Sequence, residues 1–178
     1  MGYTTDFIGE FELNTPLTPE HKAYLEAFAD TRRMKRDDAV IAKLPDPIRE
    51  AVGLPAIGAY YVAGVEDGNF GQKAHVGENG ILEYNYPPEG QPGIWCQWTP
   101  NDAGDAMEWD YGEKFYSYVE WIVYLRDHFL APWGYIMDGE VEWEGEDRTD
   151  AGKIIIVNNL ITVYVAKTQR EYTKVEEY

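Results

Sequence analysis

The segment that most constrains the fold spans residues 113–131, EKFYSYVEWIVYLRDHFLA, because it concentrates bulky apolar side chains at helical spacing. Steps of three and four residues place these side chains on one face of an α-helix, and they are Phe115, Tyr118, Val119, Ile122, Leu125 and Phe129. Asp110 and Glu113 have the spacing of a capping box, and Pro132 cannot continue a helix. The pattern therefore predicts one amphipathic helix over this segment, with an apolar face to bury.

The N-terminal residues predict a strand followed by a second helix. Residues 3–13 alternate between apolar and acidic side chains, with Phe7 and Phe11 on one side, which is typical of a half-buried strand. Thr18 and Pro19 then have the residue types of an N-cap and a first helical position. We expect a turn after the strand and then this helix, extending to about Arg33.

Short alternating segments in the second half of the chain predict β-hairpins. Residues 94–99 and 106–109 form the first pair, with a polar turn between them. The Asp-Gly pair at 138–139 and the Asn-Asn pair at 158–159 favour hairpin turns, because these residue types tolerate a left-handed backbone. The two hairpins with these turns predict a C-terminal β-meander.

These elements predict the α+β class, with an antiparallel sheet that carries two main helices on one face. Their order of strand, helix, strand, strand, helix and strand resembles a ferredoxin-like start, which the meander extends. We expect a single domain over residues 1–178. Prolines and glycines predict an irregular insertion at about 43–93, and the polar tail is expected to fray from about residue 167.

The net charge of −17 limits the kinds of partner that the protein can bind. Because phosphates would be repelled, we expect no direct binding of nucleic acid. The same charge is compatible with solubility, with a basic protein partner, or with mimicry of a nucleic-acid backbone. We expect no membrane association, since no apolar run is long enough to cross a bilayer. A single cysteine, Cys96, and the lack of a secretory signal favour the cytoplasm.

No motif for catalysis, a metal or a cofactor is present in the sequence. His21, His75 and His128 lie far apart and have no metal-binding spacing. No serine or cysteine lies in a nucleophile elbow, and there is no glycine-rich phosphate loop. We therefore expect no catalytic residue, no metal and no cofactor, and an enzyme is the less favoured class.

Cations are concentrated in one short stretch, at Arg32, Arg33, Lys35 and Arg36. One interpretation is structural, because cations at a helix C-terminus stabilise the helix dipole and pair with neighbouring carboxylates. The other is a binding site, in which forked guanidinium groups hold a phosphate or a carboxylate. The sequence favours the structural interpretation and leaves the second open.

Aromatic residues beside the insertion give another candidate binding surface, formed by Tyr84, Tyr86, Trp95 and Trp98. Strict alternation along residues 94–99 would place at least one indole on an outer surface. Exposed indoles are frequent in recognition sites. Packing explains the pattern equally well.

The most acidic run contains Glu140, Glu142 and Glu144, which alternation predicts on one strand face. Their spacing of about 7 Å is close to the phosphate repeat of a nucleic-acid strand. A solvated outer face that discourages aggregation explains the same pattern and is the favoured interpretation.

Three stretches carry a family signature, namely GYTTDFIGEFELNTPLTPEHKAYLEAFADTRRMKRD, YNYPPEGQPGIWCQW and EKFYSYVEWIVYLRDHFLAPWGYIMDGEVEWEGED. They resemble a family of small acidic proteins of tailed phages and some bacteria. The resemblance implies a phage-type accessory protein that works in the host cytoplasm. Such proteins commonly bind a host factor, including components of host defence.

The sequence thus predicts a non-enzymatic protein that binds or inhibits a host protein. The arginine cluster and the aromatic stretch supply its candidate binding residues, and a nucleic-acid-mimic role would use the acidic run. One alternative is a protein that binds a nucleotide or another phosphate-bearing ligand, or an unrecognised enzyme. A minor virion component is a further alternative.

Overall fold

The computed structural model describes residues 2–63, 76–167 and 171–178 of the chain. Residues 64–75, which belong to the expected insertion at 43–93, lie outside this description, as do residues 168–170 of the tail. The chain divides into two compact units, which are Met1–Pro16 with Gln97–Tyr178, and Leu17–Cys96. The expectation of a single domain did not include this division.

The described residues contain strands and helices in an α+β arrangement. The strands are β1 (Thr5–Leu13), β2 (Lys35–Arg36), β3 (Ile81–Glu83), β4 (Trp98–Pro100), β5 (Ala106–Trp109), β6 (Met137–Gly145), β7 (Ala151–Val157), β8 (Leu160–Lys167) and β9 (Glu171–Glu177). The helices are α1 (Pro19–Asp30), α2 (Asp38–Ile41), α3 (Pro47–Ala51) and α4 (Tyr118–Leu125). The predicted α+β class is confirmed.

The first unit is built on a seven-stranded sheet in the order β4-β5-β1-β6-β7-β8-β9. All neighbouring strands in it are antiparallel, as predicted. Four of its strands, β4, β5, β1 and β6, lie side by side in the order of a ferredoxin-like sheet. In this order β5 lies between β4 and β1, and β1 lies between β5 and β6. β7 and β8 extend the sheet as the predicted meander, and β9 adds a strand beyond it. The turn of the meander at Asn158 and Asn159 has φ values of 49° and 66°, the left-handed backbone expected there.

The amphipathic segment forms a shorter helix than predicted, since α4 begins only after residue 117 and continues as a π-helical turn at Arg126–Leu130. Residues before α4 adopt a left-handed backbone that a helix does not contain, with φ of 62° at Tyr111, 61° at Lys114 and 55° at Ser117. The capping box predicted at Asp110 and Glu113 is therefore wrong. Asp110 instead accepts a hydrogen bond of 2.7 Å from the backbone N–H of Gly112.

The core of the first unit lies between α4 and the inner face of the sheet and is rich in aromatic rings. Phe7 of β1 makes edge-on contacts with several of them, at centroid distances of 5.4 Å to Trp98, 5.3 Å to Trp109, 5.7 Å to Phe115 and 4.9 Å to Tyr118. Such contacts each contribute about 0.5–1.5 kcal/mol beyond simple burial. The predicted apolar face of the helix is thus confirmed as part of a core, and Ile122, Leu125 and Phe129 are also buried.

Two expectations for the C-terminal meander are wrong. The Asp-Gly pair at 138–139 makes no turn, because β6 continues through it and pairs with β1 over its whole length. An added Cβ at Gly139 would lie 2.6 Å from the carbonyl O of Glu10, so glycine here permits a close approach of two strands. The tail does not simply fray, since β9 pairs with β8.

The second unit contains α1, α2, α3 and a small sheet of β2 and β3. α1 begins as predicted, with Pro19 as its first residue and the Thr18 hydroxyl accepting a hydrogen bond from the backbone N–H of His21. Near α3, the buried Asp46 carboxylate accepts hydrogen bonds from the backbone N–H groups of Arg49 and Val62. Side-chain contacts of this kind fix the irregular backbone of the unit.

Candidate protein-binding face

The outer face of the sheet carries carboxylates on two neighbouring strands, β1 and β6. Because Phe7 and Phe11 point into the core, the alternate residues Asp6, Ile8, Glu10 and Glu12 point outward. We call the following exposed residues the acidic face: Asp6, Glu10, Glu12, Asp138, Glu140, Glu142 and Glu144. The predicted run of Glu140, Glu142 and Glu144 therefore does lie together on one exposed strand face.

The register of β1 and β6 places like charges directly opposite one another. The pairs are Asp6 with Glu144, Glu10 with Glu140, and Glu12 with Asp138. Opposite residues in an antiparallel pair have Cβ atoms about 4.5–5.5 Å apart, so each of these pairs is repulsive. On the next strand, burial together with the charges of Glu10 and Asp102 raises the pKa of Glu108. The negative charge thus extends over three strands.

One cation of β7, Lys153, borders the acidic face. Its Nζ lies 3.4 Å from each carboxylate oxygen of Glu140, and 4.7 Å from the ring centroid of Tyr172 on β9. A positive group is therefore held here between a carboxylate and an aromatic ring.

A hollow of about 360 Å³ opens on the same side of the first unit and also uses Tyr172. Its lining includes Asp6, Ile8, Glu142, Glu144, Ala151, Ala166 and Tyr172. The side chain of Ile8 is 77% exposed, although it is apolar and lies among carboxylates. The hollow therefore combines negative charge with apolar and aromatic contact area.

Arg33 of the predicted cluster lies in the interior of the second unit. It is 1% exposed, and its Cζ lies 4.3 Å from the ring centroid of Phe28. Its guanidinium donates to Oε1 of Gln91 at 3.2 Å and to the carbonyl O atoms of Tyr61 at 3.0 Å, Ala59 at 2.9 Å and Gly58 at 3.3 Å. Arg33 thus holds irregular backbone in place and is inaccessible to a ligand.

The other cations of the cluster differ in exposure. Arg36 is buried over the Tyr61 ring and donates to the carbonyl O of Asn79, and burial lowers its pKa to about 10. Arg32 is half-buried, with its Cζ 4.0 Å from the ring centroid of Tyr84. Lys35 is exposed. The structure brings Arg32 and Tyr84 together but does not assemble the four cations into one open cradle.

The four residues of the predicted aromatic surface also differ in exposure. Trp98 is 1% exposed, Trp95 and Tyr84 are half-buried, and Tyr86 is exposed. All six tryptophans belong to the described residues and none of them is exposed, so the expectation of exposed indoles is wrong. Strict alternation does not apply to residues 94–97, because the strand begins only at Trp98.

Sequence reasoning missed the carboxylates of β1 as partners of those on β6. The signal was present as alternating Asp6, Glu10 and Glu12, but no local pattern states which strand lies beside β1. The one hydrophobic position in this row, Ile8, was likewise not singled out.

The described part of the chain contains neither a cluster of metal ligands nor a membrane-spanning helix. Its His, Cys, Asp and Glu residues form no group suited to hold a metal ion, and His75 lies outside that part. No helix in it combines the length and apolarity that crossing a bilayer requires. Comparison of the chain with protein-family models, with curated proteins and with solved structures gives no match.

Proposed function

We propose that the protein is a non-enzymatic binding protein whose acidic face occupies a basic surface of a protein partner, in the position that nucleic acid would take there. The observation that carries this proposal is the register of β1 and β6, which sets Asp6 opposite Glu144 and Glu10 opposite Glu140. Opposed like charges destabilise a sheet. Scattered surface charges would give solubility without that cost, so the concentration of charge favours a role in binding.

The spacing of the acidic face supports mimicry of a phosphate backbone. Alternate residues along one strand lie about 7 Å apart, and neighbouring strands about 4.8 Å apart. Glu140, Glu142 and Glu144 therefore present a row of negative groups, beside which β1 presents a second row. Arginine and lysine side chains that bind phosphates bind carboxylates through the same charge-assisted hydrogen bonds.

The kind of partner follows from the resemblance to small phage proteins. It favours a host protein in the host cytoplasm, and a protein that binds nucleic acid has the required basic surface. Inhibition of that partner would result from occupation of its nucleic-acid site.

The alternative of a nucleotide-binding protein has less support. It would need several accessible arginines around one phosphate, whereas Arg33 and Arg36 are buried and donate to backbone carbonyl groups of the second unit.

The test combines capture from a host lysate with competition. Immobilised wild-type protein is expected to retain a discrete partner, and duplex DNA or RNA is expected to displace it. A face variant, Asp6→Asn with Glu10→Gln and Glu144→Gln, should lose the partner, because it removes both charges of the Asp6–Glu144 pair and one charge of the Glu10–Glu140 pair.

A matched control loses the same amount of charge elsewhere, through Glu83→Gln, Glu89→Gln and Glu113→Gln, all of which are exposed. This control is expected to retain the partner. Equal capture by the face variant and the control would contradict the proposal, as would a captured partner that nucleic acid does not displace.

A further inference from the structure

The hollow on the outer face of the sheet has a chemical character that general charge attraction does not explain. Three carboxylates, those of Asp6, Glu142 and Glu144, line it together with the exposed Ile8 and the ring of Tyr172. A row of phosphate-like charges needs neither the apolar side chain nor the ring. These two residues instead provide contact area for a side chain that is both apolar and positively charged.

The shape of the hollow follows from small side chains beside large ones. Glu144 is paired with Ala151 on β7, and Tyr172 is paired with Ala166 on β8. Alanine at both positions leaves space between the carboxylates of β6 and the ring on β9. A partner side chain that enters this space meets carboxylates on one side and an aromatic ring on the other.

Lys153 shows that this region holds a cation. Its ammonium group contacts the Glu140 carboxylate and lies over the ring of Tyr172, yet it does not line the hollow. The arrangement is an intramolecular example of the contacts that an incoming positive group would make.

We infer that the hollow receives an arginine side chain of the basic partner, an inference that rests on the proposed function. A guanidinium is planar and has forked donors, so it can bridge the opposed carboxylates of Asp6 and Glu144. The same plane stacks on an aromatic ring such as Tyr172, and the methylene stem packs against Ile8. Lysine has a compact, strongly hydrated charge and makes neither the bridge nor the stack as well.

The experiment measures binding of two labelled peptides, hexa-arginine and hexalysine, to the full chain by fluorescence anisotropy. The two peptides carry the same charge, so a difference in affinity reports on the side-chain chemistry. We expect the wild type to bind hexa-arginine at least tenfold more tightly than hexalysine. Ala166→Leu fills the hollow without a change of charge and should abolish this preference while binding of both peptides persists.

Thr162→Leu is the matched control, because it adds a similar side chain on β8 outside the hollow and should keep the preference. Tyr172→Leu is a second test variant that removes the ring without filling the space, and it should also reduce the preference. Circular dichroism confirms that each variant is folded.

The outcomes separate this inference from the function on which it rests. Equal affinity of the wild type for both peptides, or an unchanged arginine preference in folded Ala166→Leu and Tyr172→Leu, overturns the arginine site. If both peptides nevertheless bind the wild type more tightly than the face variant, the proposed function stands. Binding that the face variant does not weaken overturns both.

Discussion

The indole Nε1–H of Trp98 donates a hydrogen bond of 2.8 Å to the carbonyl O of Tyr118. This contact joins β4 to the first residue of α4, at a helix start where no side chain caps the backbone. The centroid of the indole also lies 5.4 Å from the ring centroids of both Phe7 and Phe11. A residue that appeared in the sequence as part of a recognition surface is thus a structural link between strand and helix.

Replacement of this indole tests that role. Trp98→Phe keeps an aromatic ring but removes the donor and part of the packed volume, so we expect the free energy of unfolding to fall by about 2–4 kcal/mol. Urea unfolding measures the change. Trp95→Phe, at a half-buried tryptophan, is the control and should cost clearly less. An equal cost at both positions would contradict the structural role of the Trp98 hydrogen bond.

The interior position of Arg33 gives a second prediction. Arg33→Lys keeps the charge but cannot reach the carbonyl groups of Tyr61 and Ala59 together with Gln91, so buried acceptors lose their donors. We expect a loss of about 2 kcal/mol or more in the free energy of unfolding. Lys35→Gln, at an exposed position of the same cluster, should change it by at most about 0.5 kcal/mol. Chemical denaturation of both variants checks this contrast, and a tolerated Arg33→Lys would argue against it.

The pKa of Glu108 predicts how stability depends on pH. Burial and the charges of Glu10 and Asp102 raise this pKa above its ordinary value of 4.5, so the folded protein binds more protons than the unfolded chain just above that pH. The free energy of unfolding contributed by this group is therefore highest in acid and falls as pH rises from about 4.5 through the raised pKa.

Glu108→Gln should remove this dependence. At pH 7 the variant is expected to be more stable than the wild type by a few tenths of a kcal/mol, because a repulsive contact across the strands is lost. At pH 4 the difference should vanish. Urea unfolding at the two pH values measures it, and Glu89→Gln, at an exposed position, is the control. A variant less stable than the wild type at pH 7 would refute the sign of the effect.

Lys153 is expected to compete with an incoming arginine for the ring of Tyr172. Lys153→Met should therefore strengthen binding of hexa-arginine severalfold, since it frees the ring and adds to the negative charge. Lys174→Met on β9 removes the same charge from a lysine that contacts Glu177, and should have a smaller effect. Fluorescence anisotropy compares the two, and equal effects would mean that only net charge matters.

Much of the fold could be predicted because its signals are local. Alternation placed Phe7 and Phe11 on one side of a strand, and Asn158 and Asn159 tolerate the left-handed backbone that their turn requires. The start of α4 could not be predicted from the sequence. The helical spacing of apolar residues begins before Ser117, but the left-handed backbone at Ser117 prevents the helix from starting earlier.

The sequence by itself determined the α+β class, the inward sides of β1 and β6 and the exposure of Glu140, Glu142 and Glu144. The tertiary structure alone decided that Asp6 and Glu10 lie opposite Glu144 and Glu140, and that Arg33 is an interior residue. The physical reason is that periodicity reports which residues share a face, whereas register and burial depend on contacts between segments far apart in the chain.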